Sequence, residues 1–225
     1  FLIVHDYFRR KNNPNNVTFQ EMLTSINEVQ QDKNNVNNMV LSYTNKPSGY
    51  YPIAMTEFNS KTGEREISMA NAIFIAQALA EQIKNGFAAS ILWSFQNGLD
   101  SYGGDHGMTA RNSPVLADHS PRPVFYIYHF LQQFMGDRMV WSYSSDLSVK
   151  SYASTFNSGA RGVVLVNNSS NFKTVDLDFG IDTMRYNYYW YEVYANNETD
   201  KKIFVNGQTS NFVEGGPENY SSLPS

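Results

Sequence analysis

The sequence predicts an α/β unit of parallel strands covered by helices, followed by an all-β antiparallel sandwich. Two observations carry this fold class. Up to Gly136, short apolar runs alternate with segments whose apolar residues recur at helical spacing, which is typical of β/α units. After Gly136 the chain contains only short strand-like runs separated by Asn, Ser, Gly and Asp. We therefore expect two domains, residues 1–137 and residues 138–225.

The elements of the first domain follow from the period of their apolar residues. Continuous apolar runs predict strands at residues 1–7, 51–58 and 87–95. Thr18 and Glu21 form a capping-box pattern that predicts a helix, which we expect to end at Asn34 and Asn35. Wide helical stripes predict two further helices, at residues 67–83 and 123–135. The second domain is predicted to hold strands at residues 149–156, 162–166, 174–179, 186–194 and 202–205.

Composition excludes several classes of function. The net charge of −4 offers no basic face for nucleic acid, and no apolar run approaches the roughly 20 residues that a membrane-spanning helix needs. The absence of cysteine excludes disulfides, iron–sulfur clusters, thiolate zinc sites and cysteine nucleophiles. Four histidines are few for a His-rich metal site, so we expect neither a metal nor an organic cofactor.

The ends of the three predicted parallel strands hold the side chains with the most chemistry. These are His5 and Tyr7, then Glu57 and Asn59, then Trp93 and Asn97. Carboxyl ends of parallel strands meet at one edge of a sheet, so the groups should face one opening. An indole packs on sugar rings, amides bind hydroxyl groups, and a carboxylate can attack an anomeric carbon. The pattern predicts a carbohydrate site, with a structural salt bridge as the alternative role of Glu57.

The motif Thr56-Glu57-Phe58-Asn59 after an apolar strand resembles that of retaining glycoside hydrolases built on (β/α)8 barrels. His5 and Tyr7 on the preceding strand and Trp93 on the next complete the resemblance. It implies that residues 1–137 are the C-terminal portion of a TIM barrel, its last three β/α units, and that residues 138–225 are an accessory sandwich. Residues 52–98, 104–108 and 123–140 are most similar to β-agarases and β-porphyranases.

The resemblance also implies roles for individual residues. Glu57 would be the nucleophile and Tyr7 would orient it, while Trp93 would floor the reacting subsite through a cis peptide to Ser94. His5 would line the same subsite, and further substrate contacts would come from Asn59, Asn97, Asp100, Asp105 and His106.

The resemblance implies that one catalytic group lies outside this chain. Retaining hydrolysis needs two carboxyl groups roughly 5 Å apart, and the acid/base of such barrels follows an Asn on an earlier strand. Glu64 and Glu66 read instead as solvated loop charges or helix N-terminal acids. We therefore expect the missing N-terminal part of the barrel as a partner, a polysaccharide as substrate and no activity from this chain alone. A secreted or periplasmic location follows only from that substrate.

Three functions stay open at this point. The first is a retaining endo-acting hydrolase of a galactan such as agarose or porphyran. The second is a β-xylosidase or arabinofuranosidase, whose motif Thr-Glu-Phe-Asn is similar. The third is a non-catalytic carbohydrate-binding fragment, suggested by aromatic residues crowded in one segment: Tyr186, Tyr188, Tyr189, Trp190, Tyr191 and Tyr194. Strand alternation buries about half of such a set, so we favour a packing role for them.

Overall fold

The computed structural model describes residues 1–180 and 188–223. Its first part contains a three-stranded parallel sheet of β1 (Leu2–Phe8), β2 (Ile53–Ser60) and β3 (Ala89–Leu92), in that order. Helices lie between consecutive strands, so the predicted α/β arrangement of parallel strands is confirmed. β3 is shorter than predicted because Ser94 pairs with the loop that follows. Its amide donates to His106 O, and its carbonyl accepts from Met108 N.

In the part of the chain that the structure describes, four α-helices accompany the sheet: α1 (Phe19–Ser25), α2 (Glu28–Thr44), α3 (Met69–Lys84) and α4 (Pro123–Phe134). The Thr18 and Glu21 capping box is present at the start of α1. The predicted stop at Asn34 and Asn35 is wrong, since α2 continues through both residues. Gln30 Nε2 donates to Asn34 Oδ1 one turn later, and Val40 extends the buried stripe beyond them.

The main core lies between one face of the sheet and the helices. Phe8, Met55 and Phe58 from β1 and β2 pack against Phe74 and Ile75 of α3. The rings of Phe8 and Phe74 meet edge-on with centroids 5.3 Å apart. All five side chains are buried, so this face of the sheet is closed by helices.

The opposite face of the sheet is open. Among residues 1–180 and 188–223, β1 and β3 are the two edge strands and each pairs on one side. Ile3 on β1 and Ile91 on β3 point to this open face and are 60% and 53% exposed. Parallel sheets normally bury the apolar side chains on both faces, so the exposed isoleucines on the open face are unusual for a protein surface.

The second half of the chain is β-rich but packs on helices. β4 (Arg138–Val140), β5 (Val149–Thr155) and β6 (Arg161–Asn167) form an antiparallel sheet, and β7 (Val193–Tyr194) pairs with β8 (Phe204–Val205). Residues 174–179 form no strand, and residues 181–187, which include part of one predicted strand and Tyr186, lie outside the described residues.

A separate sandwich is not confirmed, because the described sheets bury their apolar side chains against α3 and α4 instead of against each other. Tyr152 and Val166 of the three-stranded sheet pack on Leu131, and Val205 packs on Phe130. The aromatic segment divides between packing and exposure. Tyr191 stacks on Phe130 with ring centroids 4.7 Å apart and Tyr194 stacks on Phe204, whereas three neighbours are exposed, namely Tyr188, Tyr189 and Trp190. In the described residues, no helix is long and apolar enough to cross a membrane.

Candidate active site

Glu57 lies near the carboxyl end of β2 and projects to the open face of the sheet beside two side chains of β1. Tyr7 Oη donates to Glu57 Oε2 at 2.9 Å. His5 Nδ1 lies 3.7 Å from Glu57 Oε1, and His5 Nε2 lies 2.8 Å from Thr56 Oγ1. A register shift between Val4 and His5 aligns His5 with Glu57 in the parallel ladder. The structure thus brings together three of the residues that the sequence places at strand ends.

The Tyr7 phenol is held in its protonated form. Burial raises the pKa of Tyr7, and the hydrogen bond to Glu57 and the charge of that carboxyl raise it further. A phenol with a raised pKa keeps its proton and stays a hydrogen-bond donor. Tyr7 therefore fixes the direction of Glu57 Oε2 by donating to it.

Trp93 follows β3 at the same edge and is 46% exposed, and its peptide bond to Ser94 is cis, as the resemblance implies. The Trp93 amide donates to Phe58 O at 3.1 Å, which places the indole residue next to the strand end that carries Glu57. Asn97, farther along the loop, is also exposed. Both side chains are therefore accessible to a ligand.

Two of the predicted substrate contacts lie in the interior. Asn59 is fully buried, and its Nδ2 donates to Trp93 O at 2.7 Å and to His106 O at 3.1 Å. Asp105 is also fully buried and pairs with buried Arg122, whose Nη2 is 2.9 Å from Asp105 Oδ2. The expectation that Asn59 and Asp105 contact a saccharide does not fit this structure, because neither side chain reaches the surface. Both residues hold loops in place.

Asp100 and His106, both in the loop after β3, contact residues at the end of β2 and in the loop after it. Asp100 Oδ2 accepts from Lys61 Nζ at 2.6 Å, and Asp100 Oδ1 accepts from the amides of Tyr102 and Gly104. Burial acts to raise the pKa of Asp100, but the hydrogen bonds and the Lys61 charge outweigh it and the net shift is downward. His106 is largely buried and contacts the Tyr7 ring, with centroids 5.1 Å apart.

Of the two roles expected for Glu66, a solvated loop charge is wrong, because its side chain is 1% exposed, whereas a helix N-terminal acid fits, because Glu66 lies in the first turn of the 3-10 helix Gly63–Ile67. Its Oε1 accepts from the amides of Thr62 and Gly63 at 2.9 and 3.1 Å. Its Oε2 lies 3.3 Å from His106 Nε2. The sequence feature that fits the burial of Glu66 is Gly104, since a Cβ atom at that position would lie 2.6 Å from Glu66 Oε2.

Asp6, between His5 and Tyr7, points to the helix side of the sheet. Burial and the adjacent carboxyl of Asp32 raise the pKa of Asp6 to about 7. Asp6 therefore belongs to the contact between β1 and α2 and not to the candidate site. Within residues 1–180 and 188–223, no three His, Asp or Glu side chains are arranged to hold a metal ion.

No family model and no curated protein matches the chain. Solved structures do match it. The α-L-arabinofuranosidase of Thermotoga maritima in complex with arabinose has 12% identity and a TM-score of 0.54, over 73% of this chain and 37% of the other. The GH51 α-L-arabinofuranosidase of Thermotoga petrophila RKU-1 has 12% identity and a TM-score of 0.52, over 73% of this chain and 38% of the other. A third structure, another arabinofuranosidase, has 13% identity and a TM-score of 0.50.

This chain has the fold of part of a glycoside hydrolase. At 12–13% identity the likeness concerns the fold. The chain spans 37–38% of the length of these glycoside hydrolases. All three are arabinofuranosidases.

Proposed function

We propose that the chain supplies the nucleophile of a retaining glycoside hydrolase, and that this nucleophile is Glu57. The observation that carries the proposal is the hydrogen bond of 2.9 Å from Tyr7 Oη to Glu57 Oε2. It fixes a partly exposed carboxylate at the carboxyl end of a parallel strand, which is where barrel enzymes hold their catalytic groups. The glycoside hydrolase fold supports this assignment.

In the proposed reaction, a Glu57 oxygen forms a bond to the anomeric carbon as the bond to the leaving oxygen breaks. A carboxylic acid on another part of the barrel protonates the leaving oxygen. Water then attacks the glycosyl ester, its proton passes to the same acid/base, and the Glu57 carboxylate is restored. Tyr7 keeps the attacking carboxylate oriented, and the exposed indole of Trp93 offers an apolar surface to a sugar ring.

We infer that the partner is the N-terminal part of the same barrel. The open face with Ile3 and Ile91 and the unpaired outer edges of β1 and β3 are what further parallel strands would cover. An eight-stranded barrel requires about five strands beyond these three. The same strands would bring the acid/base to roughly 5 Å from Glu57, the carboxyl spacing of retaining enzymes.

The substrate that we propose to test first is an α-L-arabinofuranoside, because arabinofuranosidases share the fold. A galactan of the agarose or porphyran type is the second candidate, since residues 52–98 resemble β-agarases and β-porphyranases. A polymeric substrate would require a secreted or periplasmic protein, and that location is proposed on this ground alone.

The stereochemical course of hydrolysis tests the proposal. The full-length protein is incubated with an aryl α-L-arabinofuranoside and, separately, with agarose and porphyran oligosaccharides, and the first product is followed by proton NMR. We expect one substrate class to be hydrolysed with the anomeric configuration of the product equal to that of the substrate. An inverted first product would contradict the nucleophilic role of Glu57. Failure to hydrolyse any of these glycosides would contradict both proposed substrate classes.

A further inference from the structure

His106 lies behind the residue that orients the nucleophile. Its ring contacts the Tyr7 ring with centroids 5.1 Å apart and planes tilted by 43°. Tyr7 Oη is in turn 2.9 Å from Glu57 Oε2. Glu57, Tyr7 and His106 thus form a continuous series of contacts from the open face into the loop after β3.

The orientation of the His106 ring is fixed by two oxygen atoms. Nε2 lies 3.1 Å from the carbonyl oxygen of Ser60 and 3.3 Å from Glu66 Oε2. A carbonyl oxygen can only accept a hydrogen bond, so Nε2 carries a proton. The ring cannot turn without losing both acceptors.

Glu66 is itself held by the loop that follows the nucleophile's strand. Two backbone amides, of Thr62 and Gly63, donate to its Oε1, and Lys61 Nζ lies 3.7 Å from the same oxygen. The side chain is 1% exposed, so a carboxylate here requires these partners. Lys61 also pairs with Asp100, which ties the loop after β2 to the loop that carries His106.

We propose that Glu66 and His106 are a positioning pair that sets the Tyr7 ring and, through it, the direction of the Glu57 carboxylate. This inference rests on the proposed function of Glu57. Because the side chains of His106 and Glu66 are 12% and 1% exposed, the pair is proposed to act on Tyr7 and not on substrate. Their effect is to hold Tyr7 Oη at hydrogen-bond distance from the nucleophile while the charge of Glu57 changes during the reaction. Misplacing a reacting group by about 1 Å can lower a rate on the order of 100-fold.

A double-mutant cycle on the full-length protein tests the pair, with the aryl glycoside that the protein hydrolyses as substrate. We expect Tyr7→Phe and His106→Ala each to lower kcat by about 10- to 100-fold, with KM changed less than about threefold. Because His106 acts through Tyr7, kcat of the double variant should lie within about threefold of kcat of Tyr7→Phe. Glu66→Gln, which keeps an acceptor for the two amides, should also lower kcat.

The controls separate this inference from the function on which it rests. If His106→Ala does not fold, His106→Phe is used, which fills the space beside Tyr7 but loses the Nε2 contacts to Ser60 O and Glu66 Oε2 and should also lower kcat. His129→Ala, a histidine of α4 packed against Phe130 and Tyr220, should behave as wild type. Turnover by Glu57→Gln would overturn the proposed function itself. Two results would overturn the positioning pair alone, provided that Glu57→Gln is inactive. One is wild-type kcat in the His106 variants, and the other is a double variant in which the separate effects of Tyr7→Phe and His106→Ala on kcat multiply fully.

Discussion

Replacement of Glu57 by Gln is expected to abolish glycoside hydrolysis by the full-length protein while leaving saccharide binding intact. The amide has the size of the carboxylate but cannot form the glycosyl ester. Its oxygen still accepts the hydrogen bond that Tyr7 donates at 2.9 Å, so the local geometry is preserved. Loss of a covalent nucleophile lowers kcat by a factor on the order of 10⁴ or more. The measurements are kcat with an aryl glycoside and the Kd for a non-hydrolysed oligosaccharide by calorimetry.

The matched control for this variant is Glu64→Gln. Glu64 is exposed in the loop after β2, so removal of its charge should leave kcat within about twofold of wild type. Turnover near the wild-type rate in Glu57→Gln would show that another group attacks the sugar. Loss of turnover in both variants would show that activity depends on the charges near the loop after β2, and it would not support Glu57 as the nucleophile.

The largest loss of stability is expected for Asp105→Asn. Asp105 and Arg122 are 0% and 1% exposed, and their charged atoms are 2.9 Å apart. The amide oxygen of Asn can still accept from Gly107 N, which donates to Asp105 Oδ1 at 2.8 Å. The variant therefore mainly removes the charge and leaves the buried guanidinium uncompensated. We expect the free energy of unfolding of the full-length protein to fall by about 3–5 kcal/mol, measured by urea denaturation.

The ion pair of Lys84 and Glu81 on α3 provides the comparison, with an Nζ to Oε1 distance of 3.2 Å and side chains 60% and 22% exposed. Lys84→Gln should change the free energy of unfolding by less than about 0.5 kcal/mol, because solvent screens the charge of exposed Lys84. A change below about 1 kcal/mol in Asp105→Asn would contradict the account of the loop after β3. It would mean that the loop is held by its backbone hydrogen bonds and not by the buried pair.

The parts of the site that lie on strands are predictable from the sequence. Parallel strands bring their carboxyl ends to one edge, so the positions of His5, Tyr7 and Glu57 at strand ends are sufficient to predict their proximity. The indole of Trp93 follows from the same rule, because β3 ends one residue before it. The spacing of apolar residues and the direction of each strand are local properties, so a single sequence is enough to predict them.

The parts that depend on contacts between loops are not predictable in this way. Glu66 lies in a polar segment typical of a solvated loop, and its burial results from the approach of Gly104, 38 residues later in the numbering. Asn34 and Asn35 favour a helix end by propensity, but packing of Val40 carries α2 past them. The β-rich part of the chain has the strand pattern of a sandwich, and only the apolar faces of α3 and α4 reveal what its sheets cover.

Covalent labelling is the measurement that most directly tests the central claim. The full-length protein is treated with a 2-deoxy-2-fluoro glycoside of the hydrolysed sugar. Its activated leaving group allows the glycosyl-enzyme to form, and its fluorine slows hydrolysis of the glycosyl-enzyme, which therefore accumulates. Proteolysis and mass spectrometry then locate the attached sugar. We expect one fluoroglycosyl group, attached to the peptide that contains Glu57. A label on a different carboxylate, or hydrolysis without any covalent adduct, would contradict it.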